Sequence, residues 1–121
     1  MKFLLLPSQS LLKAAALLLV YFFLPSAQAQ KVYSVQYASD AQVKVFVTQY
    51  ASDADLIVYK AQYSSDAGNN DGVWFFTEYA SDADKKIFFT EYASDADLKI
   101  FFTEYKSDAG WKDNSKKQIM Y

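Results

Sequence analysis

Apolar and polar positions along this chain repeat. Six units begin at Lys31, Lys44, Ile57, Val73, Lys86 and Lys99, their starts 13 residues apart except for 16 between Ile57 and Val73. The unit is clearest in KIFFTEYASDADL, residues Lys86–Leu98. Its second position is Val, Ile or Trp. Its third is always aromatic (Tyr33, Phe46, Tyr59, Phe75, Phe88, Phe101), and its seventh is always tyrosine (Tyr37, Tyr50, Tyr63, Tyr79, Tyr92, Tyr105). Ser-Asp-Ala fills positions nine to eleven in all six. The first seven residues of a unit, rich in β-branched and aromatic side chains, predict a strand of ~23 Å at ~3.3 Å per residue. Alternation puts Phe88, Thr90 and Tyr92 on one face and Ile87, Phe89 and Glu91 on the other. Both faces are largely apolar in the last three units, so those strands are expected to be covered on both sides. At Ser34 and Lys60, the fourth positions of the first and third units, the second face is expected to meet solvent.

The links carry a helix-start pattern. Ser94-Asp95-Ala96-Asp97 reads as a serine cap, an acid in the first turn and a second acid three residues after the cap. Its counterparts are Ser39 with Gln42, Ser52 with Asp55, and Ser81 with Asp84, whereas Ser65 and Ser107 are followed by Gly68 and Gly110. Five or six residues allow one helical turn, so each unit is a strand plus a turn. The fold class is mainly β, with six such repeats. They can stack as an open β-solenoid with capped ends or close into a ring that abolishes free edges. The lack of a capping repeat favours the closed ring. From about residue 112 a polar tail, KDNSKKQIMY, breaks the pattern. It either frays or docks its last three apolar residues over an exposed end.

Ahead of the repeats, two lysines without an acid, the apolar run AAALLLVYFFL at Ala14–Leu24, Pro25 and Ala27-Gln28-Ala29 read as a secretory signal peptide. Cleavage is expected between Ala29 and Gln30, giving a leader at 1–29 and one domain at 30–121. The apolar run is short of the ~20 residues that span a bilayer, so no stable membrane anchor is expected after cleavage. The product is expected to be secreted or periplasmic. Losing the leader removes two of twelve lysines and none of fourteen acids, leaving a charge of −4. That balance, with no arginine, argues against nucleic acid as a partner. No cysteine is present, so stability must come from core burial, metal or assembly rather than disulfides.

Few catalytic chemistries survive this composition. Without histidine or cysteine the chain lacks the usual nucleophile–base pairs and zinc sites. Three glycines cannot build a phosphate loop. The Ser-Asp pairs occur six times at turn starts and read as caps. Asp53/Asp55, Asp82/Asp84 and Asp95/Asp97 invite a calcium reading. They match neither calcium-loop pattern, and acids in a first turn are favourable without metal. No cofactor, metal site or catalytic residue is assigned. The fixed Tyr and Phe positions are read as buried layers, the alternative being a stacking platform for sugar or peptide. The one irregularity, Gly68–Gly72, supplies the candidate binding residues Asn69, Asn70 and Asp71.

The run of strand-Tyr-x-Ser-Asp-Ala-Asp units, and YASDADLKIFFTEY in particular, resembles the bacterial 7(1) septoil knot domain family over Lys31 to about Trp111. The resemblance implies a small β-rich domain whose repeats wind twice around a ring as a seven-crossing torus knot. It implies no activity and no functional residues.

Together these features describe an exported, monomeric, non-enzymatic structural or interaction domain. The alternatives are an extracellular glycan- or peptide-binding module and, because KIFFT has the composition of cross-β segments, a fibre-forming subunit. If Ser94 is a cap, Ser94→Ala should cost ~1 kcal/mol in thermal or denaturant unfolding.

Overall fold

The computed structural model describes residues 30–66 and 69–121, so the leader at 1–29 and Gly68 lie outside the described residues. Each unit supplies one parallel strand: β1 (Gln30–Ser34), β2 (Val43–Val47), β3 (Leu56–Lys60), β4 (Val73–Phe76), β5 (Lys85–Phe89) and β6 (Leu98–Thr103). A two-residue β7 (Gly110–Trp111) follows and pairs antiparallel with β3. Most strands are five residues long rather than the seven expected. The position-five N–H still extends the ladder, as in Thr48 to Ile100 (2.7 Å) and Thr90 to Val45 (2.9 Å), and then the chain leaves the sheet.

The departure is forced by link length. Most links have eight residues, 35–42 for example. Fully extended, eight residues reach ~26 Å, whereas an α-helix would advance them only ~12 Å. The return needs ~17 Å down a strand and ~10 Å sideways across two strand spacings. Only a corner can be fitted in. It is a single 3-10 turn in each link, such as Ala93–Asp95, closed by the Asp95 N–H donating to the Tyr92 carbonyl (3.1 Å).

Two sideways spacings are needed because consecutive strands, β3 and β4 excepted, are not neighbours. The spatial order is β4-β1-β5-β2-β6-β3-β7, and an additional β3–β4 pairing closes six strands into a parallel barrel. Counted as seven places, every connection advances by two, so the chain circles twice before all are filled. β1–β3 form the first circuit and β4–β6 lie between them. The open solenoid is excluded, and the closed ring is the fold. At each of the six parallel pairings the register slips by two residues, as in Val32 opposite Lys85 and Val43 opposite Ile87. An even slip keeps every inward side chain beside another inward one.

The interior is built from alternating positions. Val32, Val45, Val58, Trp74, Ile87 and Ile100, the second positions, are all fully buried, joined by Val43, Leu56 and Leu98. Interleaving the circuits sets valine from the first beside larger residues from the second. At the fourth position Phe76, Phe89 and Phe102 alternate with Ser34, Val47 and Lys60. The three rings meet with centroids 6.3 Å apart, Phe76 to each of the others. Ser34 and Lys60 are exposed, as expected, and the Lys60 ammonium lies 4.3 Å from the Phe102 ring centre.

The circuits are fastened by a reciprocal clamp at position twelve. The Asp97 N–H donates to the Lys44 carbonyl (2.8 Å) while its carboxylate accepts from the Lys44 N–H (2.9 Å). Asp84 does the same with Lys31, Gln42 with Lys86, and Asp55 with Lys99. Each side chain stands in for the backbone carbonyl that a longer parallel strand would present. The serine-cap reading is therefore corrected. The residue in the capping position is the tyrosine, with no side-chain cap, and Ser94 sits inside the turn. A three-residue 3-10 turn has too few orphan N–H groups to need the serine. The acid three residues later is spent on another strand instead.

At the seam the clamp gives way to glycine. Gly72 has φ +91, and a Cβ there would fall 2.4 Å from the Ile57 carbonyl and 2.8 Å from the Gly110 nitrogen. The tail docks rather than fraying. It forms a 3-10 helix, Asn114–Met120, capped by Asp113, whose carboxyl is held below its ordinary pKa by hydrogen bonds from the Ser115 hydroxyl and N–H. Met120 is buried, and its carbonyl accepts from the Gln30 side chain (2.9 Å). Asp55 ties this tail to the ring, accepting from Lys112 N–H and Asp113 N–H through its carbonyl and from Lys116 Nζ (3.0 Å) through its carboxylate.

Denaturant unfolding should separate the two link residues. Ser94→Ala should fall within about 0.5 kcal/mol of wild type. Asp55→Ala should lose about 2 kcal/mol, and Asp55→Asn less, because an amide oxygen serves the clamp at Gln42. Gly72→Ala should cost about 3 kcal/mol or more through backbone overlap and positive φ.

Candidate functional site

Links cross the outer faces of strands that they skip. The turn Ala38–Asp40 packs on β5 and Ala51–Asp53 on β6. The outward aromatics of position three are thereby half-buried between crossing links. Position seven behaves differently. Tyr37, Tyr50, Tyr63, Tyr79, Tyr92 and Tyr105 are 60–66% exposed, so the expectation that these tyrosines pack in layers is corrected. The tyrosine lies where the strand ends and the short link swings outward, beyond the reach of the core.

Between a strand's outer face and its departing link lies a groove. One, of about 420 Å³, is lined by Phe46, Thr48, Gln49, Tyr50 and Asp53, with Ala93 from the crossing link and Lys99 of β6. A second, of about 400 Å³, has Phe75, Thr77, Glu78, Tyr79 and Asp82. These are the same five unit positions. A third, of about 470 Å³, has Phe101, Thr103 and Asp108, with Trp111 of β7 and Lys112 where the others have a tyrosine. The aromatic ring of position three forms the floor.

Local chemistry fixes the walls. The Thr48 hydroxyl donates to the Tyr50 carbonyl (2.9 Å), and the threonines at 77, 90 and 103 accept from the N–H of the tyrosine two residues on. The aspartate N–H then closes the turn onto that tyrosine carbonyl in all six units. A 3-10 turn brings residues i and i+3 to the same side. Phenol and carboxylate are thus presented together, both exposed, with their backbones held and their side chains unspent.

The predicted loop residues are placed otherwise. Asn69 is exposed. Asn70 is 3% exposed at φ +53, its Nδ2 donating to the Lys117 carbonyl (3.1 Å) and its own carbonyl accepting from Trp111 Nε1 (3.0 Å). Asp71 accepts from the Val73 N–H (3.2 Å). The structure thus gives Asn70 and Asp71 positions in the seam. Beside them a hollow of about 160 Å³ is lined by Gln30, Asn70, Asp84 and Met120. Gln30 Oε1 and Asn70 Oδ1 have no hydrogen-bond partner among the described residues. One carboxylate with two amide oxygens is too little charge for a tight divalent-cation site. Among the described residues no three His, Cys, Asp or Glu side chains group to hold a metal, and no helix is long and apolar enough to cross a membrane.

The groove residues were visible in the repeat as Phe, Tyr and Asp, but their exposure was not. Burial follows from which strand a link crosses, and spacing within one unit carries no such information. Tyr92→Ala should leave stability within about 0.5 kcal/mol of wild type by thermal unfolding, since the phenol makes no contact that the fold uses.

No curated protein and no solved structure matches the chain. The family model of the 7(1) septoil knot domain matches residues 29–112. Those residues contain the six strands, the five links between them and β7. The twice-wound ring has the seven places, each connection advancing by two, that such a winding requires. By this match the chain belongs to the 7(1) septoil knot domain family.

Proposed function

We propose that this chain is an exported, non-enzymatic interaction domain whose working surface is the ring of link grooves. One observation carries the reading: tyrosine occupies the seventh position in all six units although its side chain is exposed and holds nothing in place. Neighbouring positions have drifted. The fourth position holds Ser, Val, Lys or Phe, and the sixth Gln or Glu. A side chain that is retained through that drift, without a packing role, is best explained by contact with a partner.

Enzymatic use of the grooves is less well supported. Glu78 and Asp82 share one groove, but both are exposed, and acid–base pairs work when their environments set the two carboxyls apart. The fibre reading is also weaker, because the Phe-Phe segment of KIFFT lies in β5, which is paired on both sides, with β1 and β2. The domain is proposed to act as a monomer in the periplasm or outside the cell.

Glycan and peptide arrays probed with wild type and with the triple variant Tyr79→Ala, Tyr92→Ala, Tyr105→Ala test the reading. Wild type should bind members of one array and the variant should lose that signal at an unchanged melting temperature. A silent wild type, or equal binding by the variant, rejects it.

A further inference from the structure

The seam holds two acceptors that no donor serves. Gln30 and Asn70 are 6% and 3% exposed. Each amide spends its nitrogen on a backbone carbonyl, Gln30 Nε2 on Met120 (2.9 Å) and Asn70 Nδ2 on Lys117 (3.1 Å). Since a carbonyl only accepts, those bonds fix the other end of each amide as oxygen. Gln30 Oε1 and Asn70 Oδ1 then have no hydrogen-bond partner among the described residues. A buried acceptor in that state is destabilising until a proton donor or a positive charge meets it.

Both residues line the hollow of about 160 Å³, and the rest of its lining has the same sign. Asn69, Asp84, Met120 and Tyr121 complete it, and no lysine is among them. Asp84 makes no ion pair, because Lys116–Asp55 is the sole one among the described residues. The hollow therefore sets two neutral oxygens beside one carboxylate. One negative charge balances one positive charge. Calcium takes six to eight oxygens, several of them carboxylates, and would keep a charge uncompensated here. An alkali-metal ion is held by carbonyl-type oxygens that replace its water. The burial of both amide oxygens favours a bare ion over a bulkier alkylammonium.

We infer that this hollow is a monovalent-cation site, taking one alkali-metal ion on Gln30 Oε1, Asn70 Oδ1 and the Asp84 carboxylate. Water completes the shell on the open side. The three residues come from β1, from the seam before β4 and from the link entering β5. The tail helix docks on two of them through the Met120 and Lys117 carbonyls. An ion held there ties both circuits and the tail together, so its binding is read as stability.

The test is thermal unfolding at fixed ionic strength, with N-methylglucaminium chloride exchanged for sodium or potassium chloride. At least one alkali salt should raise the melting temperature by about 4 °C once the ion is in severalfold excess over its Kd. Asp84→Asn keeps an oxygen for the clamp on Lys31, as Gln42 does on Lys86, and should lose that rise. Asp97→Asn, the same change at the Lys44 clamp, should keep it. In NMR spectra of the folded wild type, the side-chain amide signals of Gln30 and Asn70 should move with the same ion. A melting temperature that ignores which cation is present overturns the inference. So does an equal rise in Asp84→Asn and wild type, which would mean diffuse charge screening, or amide signals that stay still. A larger rise with millimolar calcium chloride than with either alkali salt overturns the monovalent assignment.

Discussion

Eight residues must bring the chain from the top of one parallel strand to the foot of another two places away. Most of the structure follows from that limit. Parallel connections ordinarily take a dozen or more residues and a helix, which would shield the sheet from outside. Here the links are nearly extended and shield it themselves, as where the first lies over β5 and the second over β6. A link that crosses a strand needs that strand to be present, so the second circuit is packed beneath and between the links of the first. Closure then removes the free edges that six short parallel strands would otherwise expose.

The position-twelve clamp is the chemical counterpart of that limit. Short strands run out of carbonyls before the neighbouring strand runs out of N–H groups. A carboxylate or amide oxygen supplies the missing acceptor from residues 44 or 53 places away in sequence. The contacts span the circuits, so they form only when both are in place. Glycine replaces the clamp at the seam for the opposite reason. There Gly72 and Gly110 approach so closely that a side chain on Gly72 would overlap backbone.

Interleaving also turns a difference along the chain into an alternation in space. Units one to three carry Ser, Val or Lys at position four, and units four to six carry phenylalanine. Side by side in sequence, three phenylalanine units suggest a lopsided sheet. Wound between the others they set large against small around the barrel mouth, so that three rings meet and the gaps are filled. The same interleaving distributes glutamate evenly along the outer belt. The belt's repeated phenol–carboxylate pairs are consequently a property of the ring as a whole.

The sequence alone determined the unit, its strand, its single turn and the inward run of second-position side chains. These depend on local alternation and length, which 13 residues contain. It also favoured closure, and it resembled the family whose model matches residues 29–112. The partner of each Asp at position twelve was decided by tertiary structure, because that partner belongs to another circuit. So was the exposure of the six tyrosines. Local pattern marked them as large apolar residues at strand ends, where burial is the ordinary outcome. Only the path of the links shows that nothing crosses over them, and that their backbones are held while their side chains stay free.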